Sequence, residues 1–143
     1  MTAKKDSVQA CFAPARTLRK LLQEQPTPFY LYDAKAFRDA CMRLRMAFSW
    51  NEGFTPCFPV RMNPNPAVLR VLRDAGVRML CASEAELRLA RRAELGGSAM
   101  IYAPAVFDEH AANYARRISA AQMIDDVHTL APQPPAHVFF SVN

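Results

Sequence analysis

The sequence predicts an α/β fold with a parallel sheet, because strand and helix patterns alternate along the chain at a nearly constant period. Short apolar strands are predicted to begin near Phe58, Met79, Met100 and Gln122, at intervals of 21, 21 and 22 residues. Such alternation fits either an open doubly wound sheet or part of an eightfold (β/α)8 barrel with right-handed crossovers. A closed barrel typically needs about 250 residues, so a barrel formed here would be partial, with about five strand–helix units.

The segment before this repeat contains one helical and one strand-like pattern. Leucines on one side of residues 18–22 predict a short helix that ends before Pro26. The run F-Y-L-Y at 29–32 has the composition of a strand. We therefore expect a lead-in segment over residues 1–25 and the main domain over residues 26–143.

Capping residues mark where the predicted helices begin. Asp33, Asn65 and Asp108 are expected N-caps, the second with a proline at the first helical position, and Ser83 with Glu86 forms a capping-box pattern. The helix after Asp33 carries four apolar residues on one side: Phe37, Cys41, Leu44 and Phe48. Glycines are predicted to end three of the helices, one of them together with an asparagine: Asn51 with Gly53, Gly76, and Gly96 with Gly97.

The net charge of +5 makes nucleic acid a partner to consider, so the position of the charges matters. Most arginines fall in predicted amphipathic helices, largely away from the apolar side: Arg38, Arg43, Arg45, Arg70, Arg73, Arg88, Arg91, Arg92, Arg116 and Arg117. No cluster in the sequence interleaves with aromatic residues, which favours a solvated outer face over a nucleic-acid site.

The cysteines and the N-terminus indicate a cytoplasmic protein. Cys11, Cys41, Cys57 and Cys81 form no C-x-x-C pair and have no histidine at metal-ligand spacing, so reduced, mostly buried thiols are expected. The N-terminus lacks an apolar signal region, and no apolar run approaches about 18 residues. Neither secretion nor a membrane-spanning segment is expected.

Ligand groups in parallel α/β folds lie at the carboxyl ends of the strands. In this sequence those positions are 61–63, Ala82 and Ser83, Ala103 and Pro104, Asp125 and Asp126, and Val142 and Asn143. The two aspartates could serve as a general base or bind a metal, but an aspartate between a strand and a helix is more often an N-cap. His110, His128 and His137 show no catalytic or metal-ligand spacing, and no glycine-rich phosphate loop is present.

The segment F-P-V-R-M-N-P-N-P at 58–66 resembles the Y-A-V-K-A-N-P-N-P segment of diaminopimelate decarboxylases. Further blocks match in order and spacing: T-P-F-Y-L-Y-D at 27–33, A-F-S-W-N-E-G-F at 47–54, A-V-L-R-V-L-R-D-A-G-V at 67–77 and C-A-S-E-A-E-L at 81–87. The resemblance covers about residues 26–143 and weakens after Tyr102.

This resemblance implies a barrel whose first strand presents a lysine that forms an imine with pyridoxal phosphate. Arg61 stands at that lysine position, and a guanidinium stays charged and forms no comparable imine. Two other positions that face the cofactor in the family also differ: Leu80 replaces an aspartate and Ser141 an arginine. The family's phosphate-binding glycine loop, ring-stacking histidine and C-terminal β-domain have no counterpart in this sequence. The implied cofactor is therefore expected to be lost or weakly bound.

Two interpretations of Arg61 fit the sequence. The chain contains 14 arginines and 4 lysines, so a general drift from lysine to arginine is the favoured account. The alternative is that Arg61 binds an anion such as phosphate or carboxylate through bidentate hydrogen bonds.

The leading functional hypothesis is a truncated, catalytically inactive relative of diaminopimelate decarboxylase. The alternative is an interaction protein that pairs with a full-length decarboxylase, since the resemblance implies dimers with shared sites. A third interpretation is one segment of a longer polypeptide. The sequence does not distinguish diaminopimelate, ornithine and arginine as ancestral substrates.

A five-stranded partial barrel has two strand edges with unpaired backbone groups. The predicted edges are F-P-V at 58–60, unless F-Y-L-Y at 29–32 covers it, and H-V-F-F-S-V at 137–142. The second edge is rich in β-branched and aromatic residues without a charged residue, so self-association through it is expected.

Overall fold

The computed structural model describes residues 13–125 and 137–141, which form helices alternating with strands. The helices are α1 (Ala15–Glu24), α2 (Ala34–Ala47), α3 (Pro66–Asp74), α4 (Glu84–Arg92) and α5 (Glu109–Arg117). The strands are β1 (Cys57–Pro59), β2 (Arg78–Cys81), β3 (Met100–Tyr102), β4 (Ala121–Ile124) and β5 (Val138–Phe140). Short 3-10 turns cover Val60–Met62 and Gly97–Ala99. In these described ranges no helix is long and apolar enough to cross a membrane.

The strands form one parallel sheet in the order β1-β2-β3-β4-β5. Each strand pairs with its neighbour in sequence, so the repeat along the chain becomes a steady progression across the sheet. Met79 of β2 lies between Phe58 of β1 and Met100 of β3, which matches the predicted period. The parallel α/β prediction is confirmed.

One face of the sheet is covered by the helices and forms the core. Strand residues on this side are fully or almost fully buried: Met79, Cys81, Met100 and Tyr102. Buried helix residues pack against them: Val68, Leu69 and Leu72 of α3, Leu87 and Ala90 of α4, and Ala111 and Ala115 of α5. Small alanines on α4 and α5 let these helices lie close to the strands.

Two long side chains meet on the opposite face of the sheet. The Cζ atom of Arg78 on β2 lies 5.3 Å from the ring centroid of Phe139 on β5. The sequential order of parallel strands, with the helices packed on one face, is the arrangement of an arc of a (β/α)8 barrel, and the partial-barrel prediction is confirmed.

The predicted caps are present. The Asp33 carboxylate accepts hydrogen bonds from the backbone N–H of Lys35 and Ala36, at 2.8 and 3.1 Å. Asn65 Oδ1 accepts from the backbone N–H of Ala67 at 2.9 Å, and Asp108 caps α5 in the same way. These bonds satisfy backbone donors that each helix start leaves open.

The predicted ends of α2 and α4 are wrong by a few residues. Helix α2 ends at Ala47, before Asn51 and Gly53. Helix α4 also ends early. The helix ends at Arg92, before Gly96 and Gly97, and Glu94 takes the left-handed conformation with a φ of 64°. The Glu94 carboxylate lies 3.2 Å from Arg73 Nη1. Gly97, with a φ of 54°, instead enters the 3-10 turn before β3.

The prediction of a strand at F-Y-L-Y, residues 29–32, is wrong. The segment has no regular secondary structure and makes no sheet pairing, and all four side chains are exposed. Tyr32 contacts the rings of Tyr30 and Phe37 at centroid distances of 6.4 Å. Strand composition is not sufficient without a neighbouring strand, and β1 pairs only with β2 in the described part of the chain.

The cysteine prediction is partly wrong. Cys81 is buried and Cys41 half-buried, but Cys57 is exposed. Cys57 is the first residue of an edge strand, where its thiol donates only a long hydrogen bond to the Thr55 carbonyl, at 3.7 Å. Cys11 lies outside the described residues.

The fold brings two arginines onto one aromatic ring, a contact that the sequence pattern did not predict. The Cζ atom of Arg88 on α4 lies 4.6 Å from the ring centroid of Tyr114 on α5, and that of Arg117 lies 5.5 Å from it. Arg88 and Tyr114 are far apart in sequence, and only the packing of α4 beside α5 brings them together.

Candidate functional site

A small cavity lies at the carboxyl ends of β1, β2 and β3. It encloses about 40 Å³ and is lined by Pro59, Arg61, Leu80, Ala82, Glu86 and Ala103. These residues follow or end neighbouring parallel strands, whose carboxyl ends meet at one edge of the sheet. The predicted positions in the first three strands are therefore brought together.

Arg61 reaches this cavity because of the turn that follows β1. Val60 is fully buried and anchors the 3-10 turn Val60–Met62, which leaves the next side chain exposed. Among the described residues, none forms a hydrogen bond or an ion pair with Arg61. Its guanidinium is thus available for an external anion.

Glu86 was predicted only as a capping residue, but its carboxylate also forms part of the cavity wall. Its backbone N–H donates to Ser83 Oγ at 3.3 Å, while Glu86 Oε2 accepts from the backbone N–H of Ala82 at 2.8 Å. The capping box turns the carboxylate back toward the end of β2. The same S-x-x-E pattern could therefore have indicated an acidic group at this edge.

Leu80 lines the cavity with Arg61, but Ser141 does not. Ser141 follows β5 directly, and its backbone N–H donates to the Ile124 carbonyl at 3.0 Å. Asp125 is exposed after β4, whereas Asp126, Val142 and Asn143 lie outside the described residues. The three substituted cofactor positions are therefore not gathered into one cavity.

The histidines do not contribute to this edge of the sheet in the described residues. His110 lies on α5 and His137 is exposed before β5, while His128 is outside the described residues. No group of three metal-ligating side chains occurs in residues 13–125 and 137–141.

Cys81, beside the cavity at the end of β2, gives a test of the core. Burial, with a smaller contribution from the Glu86 carboxylate, raises the pKa of its thiol from 9.0 to about 12. The folded chain then keeps a proton that the unfolded chain loses as pH rises from 9 toward 12, so stability falls across that window. Between about pH 8 and pH 10.5 we expect this thiol to lower the free energy of unfolding by about 2 kcal/mol.

Urea unfolding of the wild type and Cys81→Ala at both pH values measures this effect. Burial also raises the pKa of Tyr102, so the free energy of unfolding falls further with rising pH, by the same amount in both proteins. The drop in the free energy of unfolding between the two pH values should therefore be smaller in Cys81→Ala, because this variant lacks the buried thiol. Equal losses in the two proteins would contradict the prediction.

The fold and the edge site define an arc of a (β/α)8 barrel with its candidate site at the strand carboxyl ends. Residues 34–139 match the family model described as pyridoxal-dependent decarboxylase, pyridoxal binding domain. The chain belongs to this family. The family prediction is confirmed.

Curated relatives include two diaminopimelate decarboxylases. The chain is 36% identical over 129 residues to that of Deinococcus radiodurans, covering 88% of this chain and 33% of the relative. It is 32% identical over 77 residues to that of Bacteroides thetaiotaomicron, covering 54% of this chain and 20% of the relative. The chain therefore spans about a third or less of the relatives' length.

The fold is also similar to a solved structure of diaminopimelate decarboxylase from Helicobacter pylori complexed with L-lysine. The TM-score is 0.65 at 20% identity, over 76% of this chain and 28% of that chain. The structural agreement shows that the strands and helices are arranged as in the matched part of that structure.

The residues of the cavity do not fit pyridoxal phosphate. About 40 Å³ is far below the roughly 300–1,000 Å³ of ordinary cofactor pockets. The Arg61 guanidinium cannot supply a nucleophilic amine, and no lysine is among the residues that line the cavity. These residues by themselves offer neither the space nor the covalent attachment that the cofactor requires.

Proposed function

We propose that this chain is a catalytically inactive, diaminopimelate decarboxylase-like member of its family. The observation that carries the proposal is Arg61 at the family's lysine position, in a cavity bounded by Leu80 and Glu86. A lysine amine loses its proton when desolvated and attacks an aldehyde, whereas the guanidinium remains protonated. The scaffold is retained in this chain while the group that would bond covalently to pyridoxal phosphate is absent.

The test is carbon dioxide release from meso-diaminopimelate by the purified chain with added pyridoxal phosphate. We expect release no faster than with the cofactor alone. Ornithine and arginine are assayed in parallel because the ancestral substrate is not distinguished by sequence. Clear turnover of any of the three would overturn the proposal.

A second candidate function is pairing with a full-length decarboxylase. The open edges of β1 and β5 in the described sheet favour it, because unpaired backbone donors and acceptors can add a strand from another chain. Co-purification of the tagged chain with a full-length diaminopimelate decarboxylase tests this role. Recovery of the tagged chain without the enzyme would speak against it.

The proposal includes the division into a lead-in segment, residues 1–25, and a barrel-like domain, residues 26–143. This division is supported by Phe37 and Cys41 of α2, which pack against the core, whereas no residue of α1 is buried. A cytoplasmic location is supported by the free thiols of Cys41, Cys57 and Cys81, because disulfides are rare in that compartment.

A further inference from the structure

The outer side of α4 and α5 holds arginine side chains in defined positions around one aromatic ring. Tyr114 contacts the guanidiniums of both Arg88 and Arg117. Glu84 Oε1 also accepts hydrogen bonds from Arg88 Nε and Nη2, at 2.8 and 2.6 Å. Because these contacts already restrict the guanidiniums, they lose less conformational entropy when they bind a partner.

The last turns of these two helices each carry two arginines. Arg91 and Arg92 lie one turn after Arg88 on α4, and Arg116 and Arg117 end α5. Within the described residues, none of these four forms an ion pair with a carboxylate. Because the two helices pack side by side, the charges share one end of the surface.

A groove runs along the same side of the molecule. It has a volume of about 770 Å³ and is lined by Glu84, His110, Asn113, Arg116 and Arg117. Arg116 donates to Asn113 Oδ1, so the groove contains a second guanidinium held by a neighbouring side chain. This volume accommodates several side chains of an extended or helical segment, and it is far larger than one small anion requires.

We propose that this α4–α5 surface, defined as Arg88, Arg92, Tyr114, Arg116 and Arg117, binds an acidic polypeptide segment of a partner protein. Carboxylates of such a segment would pair with the guanidiniums through short, charge-assisted hydrogen bonds. The surface is a poor match for single-stranded nucleic acid. The Tyr114 ring already contacts two guanidiniums and offers no open platform on which a base could stack, while the Glu84 carboxylate is already paired with Arg88.

The test is fluorescence anisotropy with the full chain and a fluorescein-labelled peptide of alternating glutamate and alanine. A fluorescein-labelled single-stranded RNA of equal length is titrated in parallel. The double variant Arg116→Gln/Arg117→Gln removes two charges from the surface, and Arg38→Gln/Arg43→Gln on α2 removes two exposed charges elsewhere. Circular dichroism confirms that both variants are folded.

We expect the peptide to bind, the α5 double variant to weaken binding by about tenfold or more, and the α2 variant to change it by less than about twofold. Equal weakening by both variants would show attraction to net charge alone and would overturn the proposal. Tighter binding of the RNA, or no measurable binding of the peptide at low salt, would overturn it as well.

Discussion

A chain in which Arg61 is replaced by lysine is expected to form at most a trace of imine with pyridoxal phosphate and to release no carbon dioxide from meso-diaminopimelate. The substitution restores an amine, but Leu80 and Glu86 still border a cavity of about 40 Å³. Ser141, the other altered position, stands after β5 and outside that cavity. An amine without a site to hold the phosphate and ring gains little from proximity, which supplies much of the rate in such reactions.

Borohydride trapping followed by mass spectrometry locates any imine on residue 61, and absorbance at the aldimine band measures its amount. Arg38→Lys, an exposed lysine on α2, controls for the reaction of any surface amine with the aldehyde. The amount of trapped imine at position 61 of Arg61→Lys should exceed the amount at position 38 of Arg38→Lys by no more than about tenfold. Efficient turnover by Arg61→Lys would show that the remaining residues hold the cofactor after all.

The features that the sequence predicted correctly are set by interactions between residues near one another in the chain. Asn65 caps α3 through the N–H two residues later, and Ser83 with Glu86 caps α4 over three residues. The apolar period then buries Leu69 and Leu87 against the sheet. Local capping and periodicity therefore specified the helices and their order.

The features that the sequence missed depend on distant partners. Residues 29–32 have strand composition, yet a strand also needs a neighbour, and none of the described strands pairs with them. The contact of Arg88 with Tyr114 joins two helices, and no local pattern indicates it. At the candidate site, sequence similarity predicted that Arg61 and Leu80 are site positions. The place of Glu86 in the cavity wall became evident only from the fold.

The isolated chain is expected to self-associate, and Phe140→Lys is expected to weaken that association by about tenfold or more. In the described sheet β5 pairs only with β4, through bonds such as Ser141 N–H to the Ile124 carbonyl at 3.0 Å. Its other edge has unpaired backbone groups. Phe140 is 60% exposed beside that edge, so a partner strand would cover its ring. A lysine there would place a charge in any new strand pair.

Light scattering at several concentrations gives the mass of the wild type, Phe140→Lys and a matched control, Phe107→Lys. Phe107 is 52% exposed in the connection between β3 and α5, so its replacement makes the same chemical change away from the sheet edges. The mass of the wild type and the control should rise with concentration, while that of Phe140→Lys should stay near one chain. If the control loses association equally, surface hydrophobicity rather than the β5 edge drives it. A folded wild type that remains monomeric across micromolar concentrations would show that this edge is covered.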